Sequence, residues 1–90
     1  MTNASRNAVR EDVSEELAAL RKELNCTKEE MAARLNISPR SYYDLEKGVS
    51  QCSAPVLIRM VNLIPDPLRR LRFLEQVQVR MDQYENAAQL

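Results

Sequence analysis

The sequence predicts an all-α fold of five helices, and three observations carry that prediction. The ninety residues hold one glycine and four prolines, a composition that suits helices better than hairpins. Apolar residues recur at spacings of three and four, the period of an amphipathic helix. The residues opening these stretches are Ser, Thr or Asp, which cap helices by accepting from free backbone N–H groups. Hydrophobic content of 44% with 29% charged residues suits one small globular domain.

Residues 1–11 are polar and aperiodic and read as a flexible tail. From Asp12 the pattern changes: Val13, Leu17, Leu20 and Leu24 form one stripe. Asp12 with Glu15 resembles a capping box at its start, and Asn25 is its expected stop. The second helix opens with "TKEE", where Thr27 and Glu30 can satisfy each other's backbone N–H groups. Met31 and Leu35 face the core, and Ala32 is small enough for a close crossing. Asn36 tolerates the left-handed conformation a tight turn needs. Ser38 caps the third helix, Pro39 takes its first position and Gly48 ends it. Ser53 then caps a fourth helix carrying Val56, Leu57, Met60, Val61 and Ile64. "PDP" at 65–67 ends that helix and starts a fifth, expected to run to about Glu85.

Composition narrows the functions. Two cysteines, Cys26 and Cys52, with no histidine argue against a zinc site, and no metal or cofactor is expected. Without histidine the commonest general base and the Ser-His and Cys-His arrangements are missing, so the chain is not expected to be an enzyme. No apolar run approaches a membrane span, and the first residues lack a signal peptide's apolar segment. A cytoplasmic protein with no membrane partner is the expectation. Net charge is zero, but its distribution is uneven. Residues 34–72 carry seven basic against three acidic side chains, and the segments on either side are acidic. The basic part is the middle.

Two short helices joined by a three-residue turn form a helix-turn-helix, whose second helix can enter the major groove. The run "TKEEMAARLNISPRSYYDLEKG", residues 27–48, resembles the lambda-repressor/Cro-like, or Xre-like, helix-turn-helix family. Thr27, Glu30, Ala32, Leu35, Ile37, Ser38, Leu45, Glu46 and Gly48 carry the resemblance at the family's spacing, and it extends more loosely over Leu17 to Ile64. Asn36 stands for the family's usual turn glycine, Tyr42 for an aliphatic residue and Pro39 for a polar residue that touches DNA. The resemblance implies a DNA-binding domain over residues 12–65. It also implies an interior ion pair of Arg21 with Glu46, against the alternative of two solvated charges.

At about 100° per residue, Tyr42, Leu45 and Glu46 share one side of the third helix, and Arg40, Tyr43, Asp44 and Lys47 the other. Pro39, Arg40, Ser41, Tyr43 and Asp44 are the candidate base readers. Arg40 suits guanine O6 and N7, or pairs with Asp44; Asp44 accepts from cytosine N4, or only orients Arg40. Tyr43 meets a thymine methyl or a phosphate, or is simply exposed. Lys28, Arg34 and Lys47 are candidate phosphate contacts, Lys28 helped by the dipole of the second helix. Arg69, Arg70 and Arg72 either add to them or form a solvated face.

Residues 66–90 are expected to dimerise the protein. Leu74, Val77, Met81 and Tyr84 form a seam with Phe73 beside it, more apolar surface than a small monomer readily covers. The alternative is that this helix folds back on its own domain. The expected function is a sequence-specific double-stranded DNA-binding transcriptional regulator. Its expected form is a dimeric repressor on a palindromic operator, read by helix 39–47 and nucleoid-associated when bound. The alternative is a protein-interaction module, antitoxin-like or a cofactor, that uses the same fold to hold a protein partner.

Overall fold

In the computed structural model, which describes residues 2–89 and the side chains of residues 2–86, five helices make up the fold. They are α1 (Asn3–Glu23), α2 (Lys28–Leu35), α3 (Pro39–Glu46), α4 (Ala54–Leu63) and α5 (Pro67–Gln89). Among the described residues no helix is long and apolar enough to cross a membrane.

Local chemistry sets most boundaries. Thr27 and Glu30 form the reciprocal capping box, and Ser38 and Ser53 accept from the third backbone N–H of their helices. Asp66 Oδ1 accepts from the Leu68 N–H at 3.0 Å, with Pro67 opening α5. Three successive helices end by one device. Asn25, Asn36 and Gly48 sit at positive φ (53°, 58° and 76°) after α1, α2 and α3. After α3, Val49 N–H bonds the Asp44 carbonyl while Gly48 N–H bonds that of Leu45, and the same pairing follows Asn25 and Asn36. The left-handed residue lets the chain turn back and satisfy carbonyls the helix leaves open.

The core lies where α1 crosses the other helices. Leu17 and Leu20 of α1, Met31 and Leu35 of α2, Tyr42 of α3, and Met60 and Ile64 at α4 are fully buried. Phe73 and Val77 of α5 close the cluster.

Two expectations for the ends of the chain are corrected together. Of the expected tail, residues 1–11, Met1 lies outside the described residues and the rest is not flexible coil: α1 begins at Asn3, capped by Thr2, whose hydroxyl accepts from the Ser5 N–H at 3.0 Å. Asp12 is therefore no cap. It lies mid-helix, fully buried, and pairs with Arg80 of α5. Ser5, Ala8, Val9, Asp12 and Val13 repeat at helical spacing, but Ser, Ala and Asp give that stripe no apolar signal. The lengthened α1 provides the wall on which α5 lies antiparallel. Phe73 and Val77 are 5% and 9% exposed, sealed inside their own chain, and Met81 is half-buried. These residues of the expected dimer seam belong to the interior; Leu74 and Tyr84 remain outside.

Polar ties run the length of the α1–α5 contact. Arg69 bonds Glu16 at 2.6 Å and also Glu23, Arg80 bonds Asp12 and, at 3.2 Å, Glu11, and Ser5 reaches Glu85 at 3.4 Å. Asp12 Oδ2 has no partner at all, so Arg80 is what makes a buried carboxylate tolerable there. Arg80→Ala is expected to destabilise the fold by about 3 kcal/mol, the low end for breaking a buried pair because Arg80 itself stays part-exposed. Urea denaturation measures this, and an unchanged midpoint would show that Asp12 needs no cation.

Candidate nucleic-acid interface

Helix α3 is only eight residues long, too short to hold itself, and its position comes from what grips its inner face. Tyr42 is fully buried and Leu45 is 5% exposed. Arg21 of α1 forks onto the Glu46 carboxylate, Nε to Oε2 at 3.1 Å and Nη2 to Oε1 at 3.0 Å. The Ser14 hydroxyl of α1 donates to the Glu46 backbone carbonyl. One residue of α3 is thus held by side chain and main chain at once.

The pair is mostly enclosed, with 24% of the Arg21 side chain and 13% of the Glu46 side chain exposed. Burial pushes the Glu46 carboxyl up, but bonding from Arg21 and the Arg21 charge outweigh it and hold the pKa below its ordinary value. Burial, then the Glu46 carboxylate, pushes the Tyr42 phenol far up, and its buried hydroxyl makes no hydrogen bond. A tyrosine where an aliphatic residue is usual thus sits as a neutral ring against the ion pair.

The outer face carries the candidate readers. Pro39, Arg40, Ser41 and Tyr43 are exposed and Asp44 is half-buried. Arg40 Nε lies 3.6 Å from Asp44 Oδ2, one helical turn away, a loose ion pair with 83% of the Arg40 side chain exposed. Ser41 is drawn into the cap, its hydroxyl 2.9 Å from that of Ser38. Tyr43 lies between two lysines, with Lys28 Nζ 5.1 Å and Lys47 Nζ 4.5 Å from the ring centroid. The Lys47 ammonium holds the Tyr43 phenol below its ordinary value, and Lys28 and Arg40 act in the same direction. Two of the three expected phosphate contacts, from different helices, therefore converge on one expected base reader. Arg34 stands apart, exposed in the last turn of α2.

The remaining arginines divide. Arg70 Nε bonds the Ile64 carbonyl at 2.6 Å, closing the end of α4, while Arg69 is taken by Glu16 and Glu23. Of the three in "RRLR" only Arg72 is exposed. Sequence reasoning missed Ser50, Gln51 and Ser53, which with Ser41 and Asp44 line a shallow groove beside α3. The available signal was the polar run "SQCS", which begins two residues after the glycine that ends the helix. Cys26 and Cys52 are unbridged, and burial pushes the Cys52 thiol up to about 11. Among the described residues no cluster of His, Cys, Asp and Glu could hold a metal ion.

A family model described as Helix-turn-helix matches residues 17–65, just over half of the chain, from the middle of α1 to the end of α4. Neither the curated proteins nor the solved structures give a match.

Glu46→Ala should cost about 2–3 kcal/mol, somewhat less than a fully buried pair because both side chains keep some exposure. Because folding lowers the Glu46 pKa, the pair's contribution is whole above the ordinary 4.5 and is lost as pH falls through the depressed folded value. The difference in unfolding free energy between wild type and Glu46→Ala should therefore shrink at acid pH. A difference that is constant from neutral to acid pH, or absent throughout, would refute a structural ion pair.

Proposed function

The chain belongs to the lambda-repressor-like, or Xre-like, helix-turn-helix family of DNA-binding transcription regulators, and from that premise we propose that it is a dimeric repressor reading a palindromic operator with α3. The observation that carries this reading is the divided α3, whose inner face is gripped by α1 while its outer face presents Arg40 and the Lys28–Tyr43–Lys47 group to solvent. Pro39, Arg40, Ser41, Tyr43 and Asp44 meet base edges in the major groove, where the exposed Arg40 suits guanine O6 and N7 and Asp44 lies 3.6 Å from it. Lys28, Arg34 and Lys47 bind phosphates and set the register without reading sequence. A bound promoter is occluded, and DNA keeps the protein in the nucleoid.

A single module meets few base pairs, so specificity calls for two copies about one DNA turn apart. Phe73 and Val77 are spent on the interior, and the proposed contact between copies moves to the α4–α5 face. There Leu57, Ile58, Val61 and Leu74 line one apolar depression, with Ile58 61% and Leu74 43% exposed. A self-complementary patch that crosses a two-fold axis is the commonest way for a small chain to cover such a face. Tyr84 and the half-buried Met81 border the contact further along α5. The competing reading, a module for a protein partner, draws on the same apolar face and on Asp44, which offsets the Arg40 charge.

Selection of bound duplexes from a random pool decides between them. The expected result is an enriched palindrome with half-sites about ten base pairs apart; no enrichment shifts the function to protein binding. For the dimer, Ile58→Glu with Leu74→Glu should halve the mass in solution and leave helicity intact, since both side chains are exposed. A wild type that is monomeric at tens of micromolar, or a dimer indifferent to the two charges, would sink the α4–α5 contact.

A further inference from the structure

The segment that sequence alone reads as a tail carries two arginines, and the fold brings them beside the proposed DNA-reading elements. At about 100° per residue, Asn3, Arg6, Asn7, Arg10 and Ser14 of α1 share an arc of roughly 100°. Glu11 and Glu15 lie outside it. Three observations show which way this arc faces. Ser14 bonds the Glu46 carbonyl at the end of α3. The Arg10 carbonyl lies 4.0 Å from where a Cβ on Gly48 would stand. Gln51, in the α3–α4 loop, donates its side-chain amide to the Arg6 carbonyl at 3.2 Å.

The arc therefore runs along the end of α3 and the loop beyond it. Asn3, Arg6, Asn7, Arg10 and Gln51 line one polar groove, and Gln51 also lines the groove beside Ser41 and Asp44. Gln51 is common to the two grooves, so the α1 groove adjoins the one beside α3. Among the described residues Arg21, Arg40, Arg69 and Arg80 are each paired with a carboxylate, but Arg6 and Arg10 are not. The Arg10 guanidinium bonds the Asn7 amide oxygen on its own arc, which leaves its positive charge uncompensated.

We propose that Arg6 and Arg10, with the amides of Asn3, Asn7 and Gln51, bind the phosphate backbone of duplex DNA flanking the segment that α3 reads. The proposal rests on the DNA-binding reading and adds a second contact site to it. Guanidinium forks match phosphate oxygens, and the α1 groove, lined by two arginines and three amides with no acidic side chain, is what a polyanion needs. Such contacts add affinity and fix the register without adding sequence preference.

The test measures binding to a random-sequence duplex across a range of salt concentrations for wild type and two double variants. Arg6→Gln with Arg10→Gln removes the proposed phosphate ligands. Lys22→Gln with Arg72→Gln removes the same charge from exposed positions away from the arc. The slope of log affinity against log salt should fall by roughly 0.9 for each phosphate that an arginine no longer neutralises, in the first double variant alone. An unchanged slope, or an equal fall in the second, overturns the proposal while leaving DNA binding intact. A wild type without salt-dependent binding overturns the DNA reading and this site together. Unchanged helicity by circular dichroism confirms that both variants are folded.

Discussion

Glu46 is the point on which the arrangement of the interface depends. Its carboxylate takes the Arg21 fork and its carbonyl takes the Ser14 hydroxyl, so α1 holds α3 at three atoms of one residue. An eight-residue helix contributes too little hydrogen bonding of its own to choose a position. With Glu46 tied down and Tyr42 driven into the core, rotation about the helix axis is removed, and Arg40 and Tyr43 must face outward. The orientation of the proposed reading face is thus a consequence of packing on the opposite side.

The same helix α1 does a second job along its other flank. Arg69, Arg80 and Glu85 of α5 bond Glu16, Glu23, Glu11, Asp12 and Ser5, and together they lace two antiparallel helices. Surface pairs of this kind are individually weak. The buried Asp12 is different: a charge with no solvent needs its cation, and that requirement makes the register of α5 specific. The pairing also alters the charge map. Of the seven basic residues in the middle of the chain, Arg40 and Arg69 are neutralised by acids, and Arg59 and Arg70 point at backbone carbonyls. A count along the sequence therefore overstates the charge available to a polyanion there, and misses Arg6 and Arg10.

Features with local causes were legible. Thr27 with Glu30, Ser38 before Pro39, Ser53, the left-handed Asn36 and Gly48, and the inward Tyr42 beside the outward Tyr43 all rest on interactions within a few residues. The Arg21–Glu46 pair, 25 positions apart, has no such local cause and was expected only from the family resemblance. The two misplaced ends share one cause. Ser5, Ala8 and Asp12 form a buried stripe without a large hydrophobic residue among them, so no periodicity marked the first turns of α1. With that wall missing, Phe73 and Val77 looked like surplus apolar area in search of a second copy. With it present, they are ordinary core.

By itself, then, the sequence determined the helices from α2 onward almost to the residue at their starts, the turn between α2 and α3, and the two faces of α3, because caps, left-handed turns and helical period act over one or two turns of chain. Only the tertiary structure decided where α1 begins, which face of α5 is interior, which arginines are already occupied and that Gln51 is common to the two grooves. Those outcomes depend on pairings such as Asp12 with Arg80 and Arg6 with Gln51, dozens of residues apart, whose partners no local pattern names.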